Sequence, residues 1–227
     1  NFTIPVFLGN VFQQLYSMAD AVIVGKFVGT KGLAAVGATG TITFLIIGFL
    51  MGLTTGFTVL TSQKFGAGRM DEMRKTVGNA AILSVVIAVV MTAESMLGMH
   101  RLLVFMHTPE DIFDGAYGYI MIICAGIFTQ VLYNLVSSIL RALGNSKTPL
   151  YFLILAAVLN IVLDLVFIIF FHWGAPGAAW ATVVSQGVSG LLCLIYIWKA
   201  VPELKMKRED WDFDKYIAGN QISVGIP

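Results

Sequence analysis

The sequence predicts an all-α fold: a polytopic membrane protein with a six-helix transmembrane bundle. Of its 227 residues, 57% are hydrophobic and only 12% are charged, whereas a soluble domain carries about 25% charged residues. The charges are bunched between long apolar runs, and the short alternating strands of a membrane barrel are absent from the pattern. Helices are therefore favoured, because a backbone inside lipid must satisfy its own hydrogen bonds.

Six apolar segments have the length of a spanning helix, which is about 20 residues for a hydrocarbon core of about 30 Å. In chain order they cover residues 2–25, 35–62, 77–99, 116–141, 149–171 and 177–198. Glycine, asparagine, serine and proline at the joints between them favour turns. Pro5 predicts a bend in the first helix, and the stripe Gly48, Gly52 and Gly56 predicts close packing of the second.

The chain divides into three parts by composition. The six segments occupy residues 1–200, a polar linker follows at 201–214, and residues 215–227 begin a further helix. No basic leader with a small-residue cleavage site precedes the first segment, so no signal peptide is expected. Because the sequence starts and stops within helix-like segments, we expect a fragment of a longer protein.

Basic residues are distributed unevenly among the loops, and this distribution predicts the orientation. The loops after the second, fourth and sixth segments hold eleven of the fourteen: Lys64, Arg69, Arg74, Lys75, Arg141, Lys147, Lys199, Lys205, Lys207, Arg208 and Lys215. The other loops hold Lys26, Lys31 and Arg101. The even-numbered loops and the N-terminus are therefore predicted to be cytoplasmic, in a bacterial plasma membrane.

Three acids lie within the predicted segments, where an ionisable group is costly and is a functional candidate. Asp20 precedes Lys26 by six residues, and Asp164 precedes His172 by eight, which correspond to about 9 and 12 Å of helix rise. The two carboxylates therefore lie at similar depth in the outer half. Glu94 is close enough to its helix end to extend towards water, and a structural role is favoured there.

Polar residues accompany the two deep acids. Asn160 shares a helix face with Asp164, Gln13 lies two turns before Asp20, and Thr182 begins a polar stripe in the sixth segment at similar depth. Carboxylate, amide and hydroxyl oxygens can hold a proton or replace the hydration shell of a small cation. The alternative is that these groups only hold helices together.

The sequence argues against other classes of function. The three histidines lack metal-ligand spacing, and no phosphate-binding loop, nucleophile elbow or zinc-protease motif is present. No enzyme activity and no cofactor are expected, and neither is nucleic-acid binding. Cys124 and Cys193 lie in apolar runs and are interpreted as buried thiols rather than a disulfide.

Five stretches together resemble the multidrug and toxic compound extrusion (MATE) transporters, in particular prokaryotic proteins of the DinF and NorM kind. They are NVFQQLYSMADAVIVG at 10–25, LAAVG at 33–37, LRALGN at 140–145 followed by Pro149, LNIVLD at 159–164, and GAPGAAWAT at 174–182. No single stretch is diagnostic, but their order and spacing cover essentially all of residues 1–200.

The resemblance implies twelve helices in two lobes. This chain would be the amino-terminal lobe, and the second six-helix lobe of the same chain would be missing. It implies a cation site of Asp20, Asn160, Asp164 and Thr182, which would ligate a metal only if Na⁺ is the coupling ion. It also implies a nearby substrate cavity, lined by Gln13, Tyr119 and Asn134. Ser137 stands where some relatives have a second asparagine.

The resemblance further implies antiport, in which Na⁺ or H⁺ enters as an amphipathic, often cationic, small molecule leaves the cell across the lipid bilayer. A lipid-linked sugar flippase or polysaccharide exporter of the wider superfamily is the nearest alternative, but several cavity cations would be expected to meet its pyrophosphate. An ion channel is the alternative from another class, although no selectivity filter or ring of charge is visible.

Overall fold

The computed structural model describes residues 3–225, apart from the side chains of Thr3, Pro5, Val6 and Asn10. Within that range the chain is helical and has no strand, so the predicted all-α fold is confirmed. The helices are α1 (Thr3–Phe27), α2 (Thr30–Gly66), α3 (Met70–Phe105), α4 (Glu110–Ala125), α5 (Ile127–Ala142), α6 (Lys147–Asp164), α7 (Gly174–Ala200) and α8 (Lys215–Gly225). A π-helical turn, Leu165–Phe170, continues α6, and two short 3₁₀ turns, Pro202–Leu204 and Arg208–Trp211, lie between α7 and α8.

Membrane-spanning length and apolar composition are found in most of these helices. Four helices of the described range qualify, namely α2, α3, α6 with its π-helical turn, and α7, and the α4–α5 pair is a fifth candidate. The 25 residues of α1 also exceed the length that a span needs. Large apolar side chains are exposed along the bundle, Phe44 and Leu97 among them, as expected of a surface that faces lipid.

The fourth predicted segment, 116–141, is not one straight helix. It is α4 and α5, which meet at Gly126 with a bend of 47°. A Cβ atom on Gly126 would lie 2.2 Å from Cγ2 of Val183, so α7 packs directly against the backbone at the bend. Hydropathy does not reveal this break, because Gly126 stands within an uninterrupted apolar run.

Two long-range contacts show how the ends of the bundle are arranged. Lys31 and Asp111, which follow the first and third spans, form an ion pair of 3.5 Å at one end. At the other end, Asn79 near the start of α3 bonds to the backbone of Asp212 and Asp214, which follow the sixth span. Most of the basic residues lie in the loops after α2, α5 and α7 or in the helical turns beside them, and we call that end of the bundle the basic end.

Residues 201–225 are held on α2 and α3 by buried polar contacts, which we call the linker anchor. The Asn79 amide is fully buried, and it accepts a hydrogen bond from the backbone N–H of Asp214 at 3.0 Å. Asp210, only 3% exposed, accepts a hydrogen bond from the backbone N–H of Lys207 and pairs with Nε of Arg74 at 3.3 Å. Arg74 also pairs with Asp71.

The first turns of α8 complete the linker anchor. The buried Gln221 donates hydrogen bonds to the carbonyls of Phe57 in α2, at 3.0 Å, and Thr76 in α3, at 2.8 Å. Glycine permits the close approach of α8, since a Cβ on Gly56 would lie 2.3 Å from Cα of Gly225. These contacts join the linker and α8 to the helices before them.

Close helix packing was predicted at all three glycines of the α2 stripe, and the structure shows it at only one of them. Gly56 packs against α8, as described above, but a Cβ on Gly48 or Gly52 would meet nothing within 4 Å among the described residues. The predicted close packing therefore holds at the basic end of α2 and is absent from the middle of the helix within the range described.

Candidate functional site

A largely buried polar cluster lies between α1, α6 and α7, towards the end opposite the basic end. We call it the carboxylate pocket, and its members are Tyr16 and Asp20 of α1, Asn160 and Asp164 of α6, and Thr182 of α7. The two members on α1 are four residues apart, and so are the two on α6, so each of these helices directs both side chains to the same side. Asn160 and Asp164 are fully buried, and Thr182 is 7% exposed.

The Thr182 hydroxyl joins the three helices. Its oxygen accepts a hydrogen bond from the Tyr16 hydroxyl at 3.1 Å and from the Asn160 amide at 3.4 Å. The hydroxyl hydrogen remains available to donate, and the Asp20 carboxylate lies beside it. Residues that are up to 166 positions apart in the sequence thus share one hydrogen-bonding group.

The structure brings the two acids together, as their matched depth predicted. The side chains of Asp20 and Asp164 are close enough to interact directly. Neither oxygen of Asp164 has a hydrogen-bond partner among the described residues, and the same is true of Oδ1 of Asp20 and Oδ1 of Asn160. The carboxylate pocket therefore contains four buried oxygens without hydrogen-bond partners among the described residues.

Such an arrangement fits a small cation or a proton. A buried carboxylate without a partner is costly, and two neighbouring carboxylates also repel each other. The unpartnered atoms are all oxygens, from two carboxylates and one amide, and these are the ligands that hard cations prefer. The donor set therefore suits Na⁺ in chemistry, and either carboxylate can equally accept a proton.

The backbone departs from α-helical geometry directly after Asp164. The π-helical turn Leu165–Phe170 begins at the next residue, and π-helical insertions are frequent at functional sites. A π-helical turn contains about one residue more than an α-helical turn. The side chains after Asp164 therefore point in different directions from those they would have in a continuous α-helix. No feature of the apolar sequence 165–170 distinguishes it from an ordinary helix.

A second polar region, which we call the amide cavity, lies nearer the basic end. It is a cavity of about 50 Å³ between α1, α2, α5, α6 and α7. Gln13 and Asn134, both predicted to line a substrate cavity, contribute to its wall. The remaining polar lining comes from Gln130, Tyr133, Arg141, Ser146 and Gln186.

The other two residues predicted for the cavity lie elsewhere. Tyr119 of α4 is buried beside Asp20 and Asp164, so it belongs to the surroundings of the carboxylate pocket. Ser137 of α5 is 1% exposed and is not among the residues that line the amide cavity. The backbone of Pro5 lies in the first turn of α1, but its side chain is outside the described residues, so the bend stays a prediction.

Sequence reasoning missed two contributions to these sites. Tyr16 was not singled out, although it stands four residues before Asp20 and so had to share its helix face. Arg141 was assigned to a loop by its position at the helix end, whereas it lines the amide cavity. The spacing of Gln130, Asn134 and Arg141 along α5 was the available signal.

Comparison with known proteins agrees with this architecture. The model of the MatE family matches residues 5–166. YpnP of Bacillus subtilis (strain 168), a probable multidrug resistance protein, is 33% identical over 228 residues, which cover 100% of this chain and 50% of the relative. The chain spans about half the length of the curated relatives it matches.

Solved structures give the same result. An outward-facing multidrug resistance MATE family transporter of the MOP superfamily has a TM-score of 0.93 and 28% identity, over 100% of this chain and 50% of that one. A MOP superfamily transporter from Pyrococcus furiosus, described as having a binding pocket of reverse polarity that suggests a different function, has a TM-score of 0.91 and 28% identity, with the same coverage. The chain matches one lobe of these transporters, and by family model, sequence and fold it belongs to the MatE family.

Proposed function

We propose that this chain is the amino-terminal lobe of a secondary active antiporter, which exports drugs or other amphipathic, often cationic, compounds in exchange for Na⁺ or H⁺. The family and the names of the relatives support export of drugs. The observation that carries the coupling part of the proposal is the pair Asp20 and Asp164, whose buried oxygens lack partners. A cluster that served stability alone would be expected to satisfy them.

In this proposal the carboxylate pocket links ion occupancy to the position of α1. Tyr16 and Asp20 are carried by α1, whereas Asn160, Asp164 and Thr182 belong to α6 and α7. Repulsion between the two carboxylates tends to push α1 away from α6. A cation or a proton at Asp20 and Asp164 relieves that repulsion and draws the helices together, which changes the cavity beside α1. Alternating access follows if the two arrangements of α1 open the cavity to opposite sides.

Efflux from vesicles tests this proposal. Purified full-length transporter would be placed in vesicles, and Na⁺ and pH gradients would be imposed separately. The proposal expects at least one of the two gradients to drive export of a cationic dye. The same gradient should no longer drive export by the Asp20→Asn variant. Dye export that proceeds equally without any gradient would contradict antiport.

The membrane orientation belongs to the same proposal, with the basic end and the N-terminus in the cytoplasm of a bacterial cell. Single cysteines at Lys75 and Asp111, both exposed, would be labelled from outside intact cells with an impermeant reagent. The buried native Cys124 and Cys193 provide a low background. Labelling at position 111 but not at 75 is expected, and the reverse pattern would overturn the orientation.

A lipid-linked sugar flippase is the nearest alternative. Several cationic side chains would be expected to meet a pyrophosphate, but the amide cavity is lined by one cation, Arg141, in the part of the chain that the structure describes. Vesicle assays that include a fluorescent lipid-linked sugar would separate the two functions, and the antiporter proposal expects no flipping of that lipid.

A further inference from the structure

The amide cavity contains one charged side chain among the described residues, the guanidinium of Arg141. No acid lines the cavity, and Arg141 forms no ion pair with any described residue. A partly buried arginine normally pairs with a carboxylate or another anion. The positive charge of Arg141 is therefore not neutralised by any residue that the structure describes.

Capping of α5 does not account for Arg141. The carbonyls of Ile139, Leu140 and Arg141 at the end of the helix accept hydrogen bonds from the backbone N–H groups of Leu143, Asn145 and Gly144, respectively. Gly144 has φ of +82°, the left-handed conformation that closes helix ends in this way. Because the backbone already satisfies these carbonyls, the guanidinium is free to point elsewhere, and it lines the cavity.

The other polar groups of the cavity suit an anion as well. Gln130, Asn134 and Gln186 line it and are 6%, 8% and 7% exposed. Each carries an amide NH₂ that can donate two hydrogen bonds. A guanidinium fork surrounded by amide donors is a favourable environment for a carboxylate or a phosphate.

We infer that the amide cavity is a binding site for an anionic group, a carboxylate or phosphate carried by an amphipathic molecule, with Arg141 as its main ligand. The inference rests on the proposed transport function, and it extends the substrate class from cationic compounds to anionic and zwitterionic ones. The cavity volume of about 50 Å³ leaves room for one such group. Gln13 of the cavity and Asp20 of the carboxylate pocket are seven residues apart on α1, about 10 Å of helix rise, so the anion site and the cation site are separate.

Equilibrium binding to the full-length transporter in nanodiscs tests the inference without any gradient. The probes are 1-pyrenebutyrate and its trimethylammonium counterpart, which share an apolar body and differ in the sign of their charge. Arg141→Gln is expected to weaken the binding of pyrenebutyrate about tenfold or more, because it removes a charge-assisted hydrogen-bond pair. The cationic probe should bind the variant as well as the wild type or more tightly. Inorganic phosphate should compete with pyrenebutyrate on the wild type only.

Three further variants make the test specific. Arg141→Lys keeps the charge but loses the fork, so intermediate binding of pyrenebutyrate is expected. Lys147→Gln removes the same charge from an exposed position at the same end of the bundle and should leave both probes unchanged. Gln130→Glu places a carboxylate in the cavity beside an intact Arg141. It should weaken pyrenebutyrate even if Arg141→Gln proves unstable.

Nanodiscs of phosphatidylcholine and of phosphatidylglycerol distinguish two sources of the anion. Weaker Arg141-dependent binding of pyrenebutyrate in phosphatidylglycerol would identify a lipid headgroup as an occupant of the site, and equal binding would assign the site to free substrate.

The inference is overturned if Arg141→Gln and Gln130→Glu change the binding of both probes alike, as expected of an arginine that only pairs with the second lobe. Wild type that binds neither pyrenebutyrate nor phosphate overturns it too. Gradient-driven export of a cationic dye, measured separately, would stay intact in either case, so failure here is distinct from failure of the antiport proposal.

Discussion

The carboxylate pocket and the linker anchor are both buried and polar, but their hydrogen-bonding capacity is used very differently. Asp210 in the linker anchor is 3% exposed and has an ion pair with Arg74 and a backbone donor. Asp164 in the carboxylate pocket is 0% exposed, and both of its oxygens lack a partner among the described residues. Of these two buried aspartates, Asp210 therefore has a cationic partner and a hydrogen-bond donor, whereas Asp164 has no hydrogen-bond partner among the described residues.

In our proposal this difference separates a cluster that serves folding from a cluster that serves ion coupling. Burial of a charge without a partner costs free energy, and the linker anchor shows that this chain does supply partners where polar groups connect helices. The carboxylate pocket retains the cost, and in our proposal a bound cation or proton offsets it. The linker anchor has two buried atoms without a hydrogen bond among the described residues, Oε1 of Gln221 and Nε of Arg74. The Gln221 amide nitrogen nevertheless donates two hydrogen bonds, and Nε of Arg74 lies 3.3 Å from the Asp210 carboxylate as an ion pair.

The largest expected effect is the loss of coupled transport in Asp20→Asn. An amide keeps the shape of the side chain but cannot gain or lose the charge that coupling requires. Gradient-driven export should fall to the level of empty vesicles, and the thermal unfolding midpoint should not decrease, since a costly buried charge is removed. Glu94→Gln is the matched control, because it neutralises an exposed acid of α3, and it should export normally.

A smaller effect, on stability, is expected from Gly56→Ala in the linker anchor. The added Cβ would lie 2.3 Å from Cα of Gly225, and relief of such overpacking costs about 1–3 kcal/mol. Gly52→Ala adds the same atom one turn earlier on α2, where nothing lies within 4 Å among the described residues. The unfolding midpoint should drop for Gly56→Ala alone, and equal midpoints for the two variants would contradict the close packing of α8.

Gln221→Ala should destabilise the linker anchor to a similar or lesser extent. The substitution removes the donor to the carbonyls of Phe57 and Thr76, and a lost buried hydrogen bond costs about 1 kcal/mol each. Gln63→Ala, at an exposed position of α2, serves as the control and should change stability by less than about 0.5 kcal/mol. Chemical unfolding of the detergent-solubilised protein measures the stability of both variants. If Gln221→Ala loses no more stability than Gln63→Ala, the hydrogen bonds of Gln221 do not stabilise the linker anchor.

The smallest effect is expected from Thr182→Val in the carboxylate pocket. Valine keeps the volume but loses the oxygen that accepts from Tyr16 and Asn160. The apparent affinity for the coupling ion should fall by about tenfold, the equivalent of one hydrogen bond, while maximal export remains measurable. Thr182→Ser restores the hydroxyl and should recover the affinity. If the serine variant has an ion affinity as low as the valine variant, the packing of the side chain and not its hydroxyl determines the affinity.

Much of the fold could be predicted from the sequence because the membrane imposes simple rules. Length and hydropathy located the long apolar helices, four or five of which are candidate spans in the described range, and the similar depth of Asp20 and Asp164 followed from helix rise alone. The break at Gly126 could not be predicted, because it depends on the close approach of Val183 from a helix that lies elsewhere in the sequence. Periodicity within one segment carries no information about such a contact.

The same limit applies to the sites. Residues on the same helix as a predicted acid, such as Asn160, were found by spacing, whereas the cavity residues Gln130 and Gln186 come together only through packing of α5 against α7. Arg141 illustrates the remaining difficulty. A cation at the end of a helix is usually interpreted as favourable to the helix dipole, and only the satisfied carbonyls of α5 show that it is available for another purpose.

The most direct test of the difference between the two clusters compares Asp164→Asn with Asp210→Asn in the full-length transporter. Both variants replace a buried aspartate by its amide. Gradient-driven export from vesicles and the unfolding midpoint would be measured on the same preparations. Asp164→Asn is expected to abolish export and leave the midpoint unchanged or higher, whereas Asp210→Asn is expected to lower the midpoint and leave export per folded molecule intact. Normal export by Asp164→Asn, or a loss of stability in it as large as in Asp210→Asn, would contradict the assignment of the carboxylate pocket to ion coupling.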